Sequence, residues 1–195
     1  MATALKAGDV FPQGVTFKYI PYAEDQGEIT ACGIPIDYDA SKEFAARKVV
    51  LVSVPGAFTP TCQKTHLAGY LARQEELKSK GVDHVIVIAY NDPFVMSAWG
   101  KANGVKDNFV VDILDMDERW LEISRNLTRT NISMPNQQLF MSDTGTAFSQ
   151  SIGWTAGERT GRYAMLICNG KVLYAEKEEK KEVTVSGVDA VIAKL

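Results

Sequence analysis

Residues 48–54, KVVLVSV, form a short and nearly unbroken run of β-branched and apolar side chains that stops at Pro55-Gly56. A run without a polar face predicts a strand covered on both sides, which a chain can bury only inside a layered fold. Thr59-Pro60 then carries a helix start signal, a capping hydroxyl followed by proline where a missing N–H costs nothing. The spacing predicts a helix over residues 59–80, with Leu67, Tyr70, Leu71 and Leu77 on one face and Gly81 as terminator. Cys62 therefore falls in the first turn of a helix leaving the C-terminal end of a buried strand. Unpaired N–H groups and the positive end of the helix dipole favour a thiolate there, and the thiolate is the reactive form. The plainer alternative is a small buried hydrophobe.

The rest of the chain alternates between the two periodicities. Residues 15–22 and 28–34 are expected to form an N-terminal hairpin around an acidic turn at 24–27, with Cys32 in its second strand. A short helical turn is expected at 39–46, strands at 83–90 and 138–142, and helices at 92–103, 144–152 and 186–195. Residues 162–174 form a second hairpin around Asn169-Gly170, a strong short-range hairpin signal. Strands alternating with helices and then a terminal hairpin predict an α/β fold with a central mixed sheet.

Composition narrows the functional classes. A length of 195 residues fits a single domain over 1–195. The net charge of −3 offers no electrostatic footprint for nucleic acid or an anionic membrane. No apolar run reaches eighteen residues, so no transmembrane segment is expected, and the first ten residues lack the apolar stretch of a secretory leader. Three cysteines, at 32, 62 and 168, contain no C-x-x-C pair, which argues against a disulfide scaffold, a thiolate metal site and a general thiol-disulfide oxidoreductase. A reducing compartment fits that count. Two histidines leave a cysteine hydrolase short of bases, and a non-catalytic holdase or binding module is the remaining alternative.

Pro55, Thr59 and Cys62, inside PGAFTPTCQKTHLAGY, resemble the active-site loop of peroxiredoxins, with the five-type (type II) branch as the nearest pattern. The resemblance runs from Lys6 to Leu195 with one interruption. It implies a thioredoxin-like fold and a thiol-dependent peroxidase that reduces hydrogen peroxide and alkyl hydroperoxides through a Cys62 sulfenic acid. Electrons would come from thioredoxin or from glutathione with glutaredoxin, and no metal or other cofactor is implied. The family pattern also implies a homodimer.

Roles follow in part from the residues and in part from the resemblance. Thr59, one turn before Cys62, can place a hydroxyl beside the sulfur or cap the helix. An arginine suits the task of contacting sulfur and peroxide oxygen together, but spacing alone leaves Arg47, Arg73, Arg119, Arg125, Arg129, Arg159 and Arg162 open. The resemblance selects Arg162 over its neighbour Arg159. It also assigns Pro55 as the pocket proline that shields the sulfenic acid, and Cys32 as the resolving thiol that bonds Cys62 of an opposite subunit. Cys168 is the alternative resolving thiol. His66 is expected to be a packing or interface residue rather than a base.

Residues 107–137 interrupt the family pattern and hold a possible helix at 116–127. A loop of that length in a compact domain calls for a function or an accident. It is either an excursion that alters the dimer contact or pocket rim, or a retained intron, since codons for Val110-Val111 and Gln137 permit splice signals. Ala193-Lys194-Leu195 differs by one small residue from the Ser-Lys-Leu peroxisomal address, which predicts a peroxisomal location, a cytoplasmic location, or both.

Overall fold

The computed structural model of the chain describes residues 2–105 and 137–195. The expected insertion at 107–137, its helix at 116–127 and the candidate arginines 119, 125 and 129 lie outside the described residues, apart from Gln137, which opens a strand.

Among the described residues a seven-stranded mixed sheet runs in the order β2-β1-β5-β4-β3-β8-β9. Its members are β1 (Thr16–Tyr19), β2 (Ile36–Asp39), β3 (Lys48–Ser53), β4 (His84–Ala89), β5 (Gln137–Ser142), β8 (Tyr163–Cys168) and β9 (Lys171–Lys177). A two-stranded ribbon, β6 (Thr155–Ala156) with β7 (Arg159–Thr160), stands apart. Strand β3 is parallel to β4 and antiparallel to β8, with Ser53 opposite Tyr163. The expected strand at 48–54 is therefore central, and every residue from Val49 to Ser53 is buried.

Alternation along the strands splits the core into two layers. Val49 and Leu51, with Ile86, Ile88, Met141 and Met165, pack on one face against Phe11, Phe44 of α1 (Ala40–Phe44) and Phe148 of α5 (Ala147–Ser151). Val50 and Val52 point the other way. They meet Tyr70 of α2 (Ala68–Ala72), Leu77 of α3 (Gln74–Ser79) and Val191 of α6 (Val188–Ile192). Further along that face Cys62 lies with Val54, Val87 and Phe140, and with Trp99 of α4 (Pro93–Ala102). Complete burial of one such side chain contributes about 1.5–3 kcal/mol.

Several expected elements change shape. The N-terminal hairpin exists, but β1 pairs with residues 36–39 rather than 28–34. The intervening loop is held elsewhere: Lys101 Nζ donates to the carbonyls of Ala31 at 2.9 Å and Glu28 at 3.4 Å, and Gly33 packs so tightly on Ile20 that a Cβ would sit 2.7 Å from its side chain. Cys32 is consequently in an exposed loop, not a strand.

The helix expected over 59–80 is three segments. A wide i→i+5 turn at Cys62–Leu67 leads into α2, the backbone leaves helical geometry at Arg73 (φ −111°, ψ 19°), and α3 follows. The extra residue of a wide turn rotates the helix face. Leu67 thereby joins the Trp99 cluster, while Tyr70 and Leu77 face the other. The Thr59 hydroxyl does not cap this helix; it donates to the Gly56 carbonyl at 3.0 Å.

The helix expected at 144–152 shortens to α5 because Gly145 (φ 65°) and Thr146 (φ 56°) are left-handed. Buried Asp143 instead accepts from Phe148 N at 2.9 Å and Ser149 N at 3.0 Å. The last helix starts at Val188, not Ser186, since Ser186 is bound to Glu178. The second hairpin matches expectation, with Asn169 (φ 49°) and Gly170 (φ 75°) turning β8 into β9.

Candidate active site

Strand β3 delivers Pro55 to Cys62 to one end of the sheet, and hydrogen bonds from neighbouring strands fix that delivery. Thr160 Oγ1 donates to the Val54 carbonyl at 2.6 Å, Ser53 Oγ donates to the Gly161 carbonyl at 2.9 Å, and Ala57 N donates to Asn91 Oδ1 at 2.9 Å. Phe58 takes a left-handed φ of 58°, turning the loop so that Gln63 N reaches the Thr59 carbonyl at 2.8 Å and the helix begins. Gln63 in turn accepts from Trp99 Nε1 and donates to Asn103 Oδ1 at 2.6 Å, tying the helix start to α4.

Cys62 is 1 % exposed, yet a charged group reaches its sulfur. Arg162, just before β8, donates from Nη2 to Sγ at 3.5 Å. Because β8 is the antiparallel neighbour of β3, residues 100 apart in sequence meet beside the strand end. A guanidinium in that place is positioned to hold negative charge on sulfur or on an oxygen leaving it.

The other arm of the fork, Nη1, lies 3.1 Å from His66 Nδ1, and His66 Nε2 lies 2.8 Å from the Ser186 carbonyl. Burial foremost, and the Arg162 charge after it, push the His66 pKa down to about 4 against the pull of Ser186. The ring is thus neutral near pH 7, with Nε2–H donating to Ser186 and Nδ1 accepting from Arg162. The same Ser186 carbonyl accepts from Tyr70 Oη at 2.7 Å. Its loop is fastened by Glu178, whose carboxylate accepts from the backbone and hydroxyl groups of both Thr184 and Ser186 at 2.6–2.8 Å. Burial opposes charge on Glu178, but these bonds outweigh it and hold its pKa below the ordinary value.

The structure brings Arg162 to Cys62, and Arg162 and Pro55 line one pocket of about 360 Å³ at the protein surface, whose lining includes neither Cys62 nor Thr59. Among the described residues the competing arginines are committed elsewhere. Arg159 stacks over the Tyr90 ring at 5.3 Å, Arg47 pairs with Glu43, and Arg73 pairs with Glu76 and Asp189. Cys32 is exposed beside Ile29 and Phe94, and Cys168 is half-buried at the end of β8. All three cysteines are free.

Comparison with known proteins places this geometry. The redoxin family matches residues 6–192. Peroxiredoxin Pen c 3 of Penicillium citrinum is 50 % identical to the chain, covering 98 % of it and 99 % of its own length. The chain belongs to the peroxiredoxin family. A relative of this peroxiredoxin in Lipomyces kononenkoae, named as peroxisomal, is 43 % identical over 96 % of the chain and 99 % of its own length. Among solved structures, reduced Prx3 in complex with hydrogen peroxide from Vibrio vulnificus superposes with a TM-score of 0.69 at 29 % identity, covering 97 % of this chain and 98 % of that one. The mixed sheet with flanking helices is the thioredoxin-like fold of these proteins, and the peroxiredoxin is an enzyme, a thiol-dependent peroxidase. Its family implies a peroxide substrate and a thiol reductant. Among the described residues no helix is long and apolar enough to cross a membrane.

Three members of the site were not recognised in the sequence. His66, expected to be a packing or interface residue rather than a base, is buried and is also the partner of Arg162; Ser186, expected to open the last helix, and Glu178 support it from the following loop. His66 carried a usable signal, its position one turn after Cys62; Ser186 and Glu178 carried none.

Proposed function

We propose that Cys62 is the nucleophile of the peroxidase, with Thr59, Pro55 and Arg162 completing its site. The observation that carries this is the 3.5 Å contact from Arg162 Nη2 to Cys62 Sγ beside a pocket lined by Arg162 and Pro55. The thiolate sulfur attacks the terminal oxygen of the hydroperoxide, an S–O bond forms and the O–O bond breaks. Sulfur loses two electrons to become a sulfenic acid, and the alkoxide or hydroxide that departs takes up a proton as alcohol or water. Arg162 stabilises the charge on the departing oxygen. Since the Thr59 hydroxyl spends its proton on Gly56, it offers the peroxide a lone pair, and Pro55 restricts access to the oxidised sulfur.

The substrates in this proposal are hydrogen peroxide and alkyl hydroperoxides. Recycling runs through a disulfide between Cys62 and Cys32 of a second copy, reduced by thioredoxin or by glutathione with glutaredoxin. Support for a second copy comes from exposed Cys32 sharing a shallow apolar surface with Ile29 and Phe94, about half of whose areas face solvent. The chain acts as one domain over 1–195, in the peroxisome through Ala193-Lys194-Leu195, in the cytoplasm, or both. An intact mass equal to that of all 195 residues in the native protein excludes removal of residues 107–137.

An NADPH-coupled assay with thioredoxin and its reductase tests the nucleophile. Cys62→Ser is expected to abolish turnover of hydrogen peroxide, and undiminished turnover refutes the assignment. Cys32→Ser is expected to retain the first oxidation but lose the disulfide dimer on a non-reducing gel; persistence of that dimer shifts the role to Cys168.

A further inference from the structure

Arg162 is held at its backbone and at its guanidinium, and both holds lead to Glu178. At the backbone, Glu178 N donates to the Arg162 carbonyl at 2.9 Å, one step beyond the pairing of Tyr163 with Lys177 in β8 and β9. At the guanidinium, Nη2 reaches Cys62 Sγ and Nη1 reaches His66 Nδ1, while Nε–H has no acceptor among the described residues. The aim of the side chain therefore depends on His66. A guanidinium only donates and a carbonyl only accepts, so the neutral ring serves both neighbours in one form alone, with its proton on Nε2 facing Ser186. With the proton on Nδ1, one N–H would oppose another. The Ser186 carbonyl that selects the form is fixed from two sides, by the Tyr70 hydroxyl at 2.7 Å and by the Glu178 carboxylate. One carboxylate oxygen accepts from Ser186 N and Oγ at 2.8 Å and from Thr184 N at 2.6 Å, and the other accepts from Thr184 Oγ1 at 2.7 Å.

We propose that Glu178 is a positioning residue of the peroxidase, whose carboxylate holds Ser186 where it selects the His66 tautomer that aims Arg162 at the Cys62 sulfur. The inference rests on the site proposed above and adds to it a residue that touches neither the sulfur nor the peroxide. The circuit is closed. Glu178 binds the Arg162 backbone directly and reaches the Arg162 side chain through Ser186 and His66, so the loop after β9 cannot shift against the start of β8 without turning the guanidinium. A misplacement of about 1 Å at a reacting contact costs up to about a hundredfold in rate.

Stopped-flow oxidation of Cys62 by hydrogen peroxide and nitrogen NMR of the imidazole rings test the proposal together. The chain has two histidines, so His66→Gln identifies the His66 signal by its loss. In the wild type His66 is expected to carry its proton on Nε2. Glu178→Ala is expected to slow oxidation about tenfold and to mix the two tautomers. Glu178→Gln keeps an acceptor oxygen and is expected to keep the tautomer and a rate within about threefold of wild type. In a His66→Leu background Glu178→Ala is expected to cause no further loss, because the two residues act as one unit. A wild-type rate in Glu178→Ala overturns the proposal, as does equal slowing in both backgrounds or slowing with the tautomer unchanged. A Gln variant as slow as the Ala variant also overturns it, by assigning the effect to charge. Should Glu178→Ala not fold, Ser186→Ala removes one of the four bonds and is expected to slow oxidation about threefold with the same mixing of tautomers, and a wild-type rate and tautomer there overturn the proposal. Retained peroxide turnover in Cys62→Ser overturns the underlying site assignment instead, an outcome that the tautomer measurement does not depend on.

Discussion

Arg162 Nη1 and His66 Nδ1 stand 3.1 Å apart inside the protein, so the guanidinium that reaches Cys62 is oriented by a neutral imidazole rather than by a carboxylate. A carboxylate partner would neutralise the arginine; a neutral ring aims it while leaving its charge for the sulfur. His66→Leu removes the acceptor and leaves one arm of a buried guanidinium unpaired. A hydrogen bond to a charged group is worth about 1.5–3 kcal/mol, so the rate of Cys62 oxidation is expected to fall roughly tenfold or more, with His66→Gln restoring most of it. The wild-type rate should also decline as pH falls toward about 4, where the ring gains a proton and can no longer accept from Arg162. If the Gln variant shows the same acid limb, His66 is not its origin.

Arg162→Lys keeps a positive charge but removes the planar fork that contacts Cys62 and His66 together. The expected loss in kcat/KM for hydrogen peroxide is about a hundredfold, with the circular dichroism spectrum unchanged. A near-normal rate in the lysine variant shows that charge alone suffices.

His84, at the start of β4, is 1 % exposed and neither ring nitrogen has a partner among the described residues. Burial foremost, then the Arg47 charge, lower its pKa to about 4, as burial does for His66. The unfolded chain takes up protons on both rings near pH 6.5, while the folded chain resists until about pH 4. Stability from these groups is therefore full above about pH 6.5 and is lost as pH falls toward 4, by on the order of 3 kcal/mol per ring at the limit. Urea midpoints measured from about pH 7 to about pH 4.5 should fall, and His84→Leu should flatten part of that fall while remaining near neutral at pH 7. A slope identical to wild type in His84→Leu removes His84 from the account.

Gly161 sits where no side chain fits. Its N–H donates to the Trp154 carbonyl oxygen at 2.9 Å, and a Cβ would approach that same oxygen to 2.5 Å. Its own carbonyl accepts from Ser53 Oγ, so relief requires moving the backbone next to Arg162. Gly161→Ala is expected to cost about 2 kcal/mol of stability and to slow Cys62 oxidation at least tenfold at temperatures where the protein stays folded. Wild-type kinetics in a destabilised Gly161→Ala protein separate the backbone contact from the site.

Local signals were sufficient where a local rule decides the outcome. The run at 48–54 has no polar face and became the central strand; Asn169-Gly170 tolerates the left-handed backbone of a tight hairpin and formed one; Asp92-Pro93 opened α4, with Asp92 accepting from Val95 N. They failed where two segments compete for one partner. Residues 28–34 have strand-like composition, yet Lys101 and the close approach of Gly33 to Ile20 draw them into a loop, and β1 takes residues 36–39 instead. The apolar face expected from 62 onward is divided between two clusters by a wide turn and a break at Arg73, neither of which periodicity reveals.

The sequence by itself determined that a cysteine would follow a buried strand at the start of a helix, because strand burial, proline and helix initiation are all written within fifteen residues. Only the tertiary structure decided what stands around that sulfur. Arg162 lies 100 positions beyond Cys62 in the chain and reaches its sulfur because β8 pairs with β3 in one register, while Ser186, 124 positions beyond, holds His66 against Arg162 because Glu178 anchors its loop. Register and loop anchoring are settled by packing over the whole sheet, so no short stretch of residues encodes them.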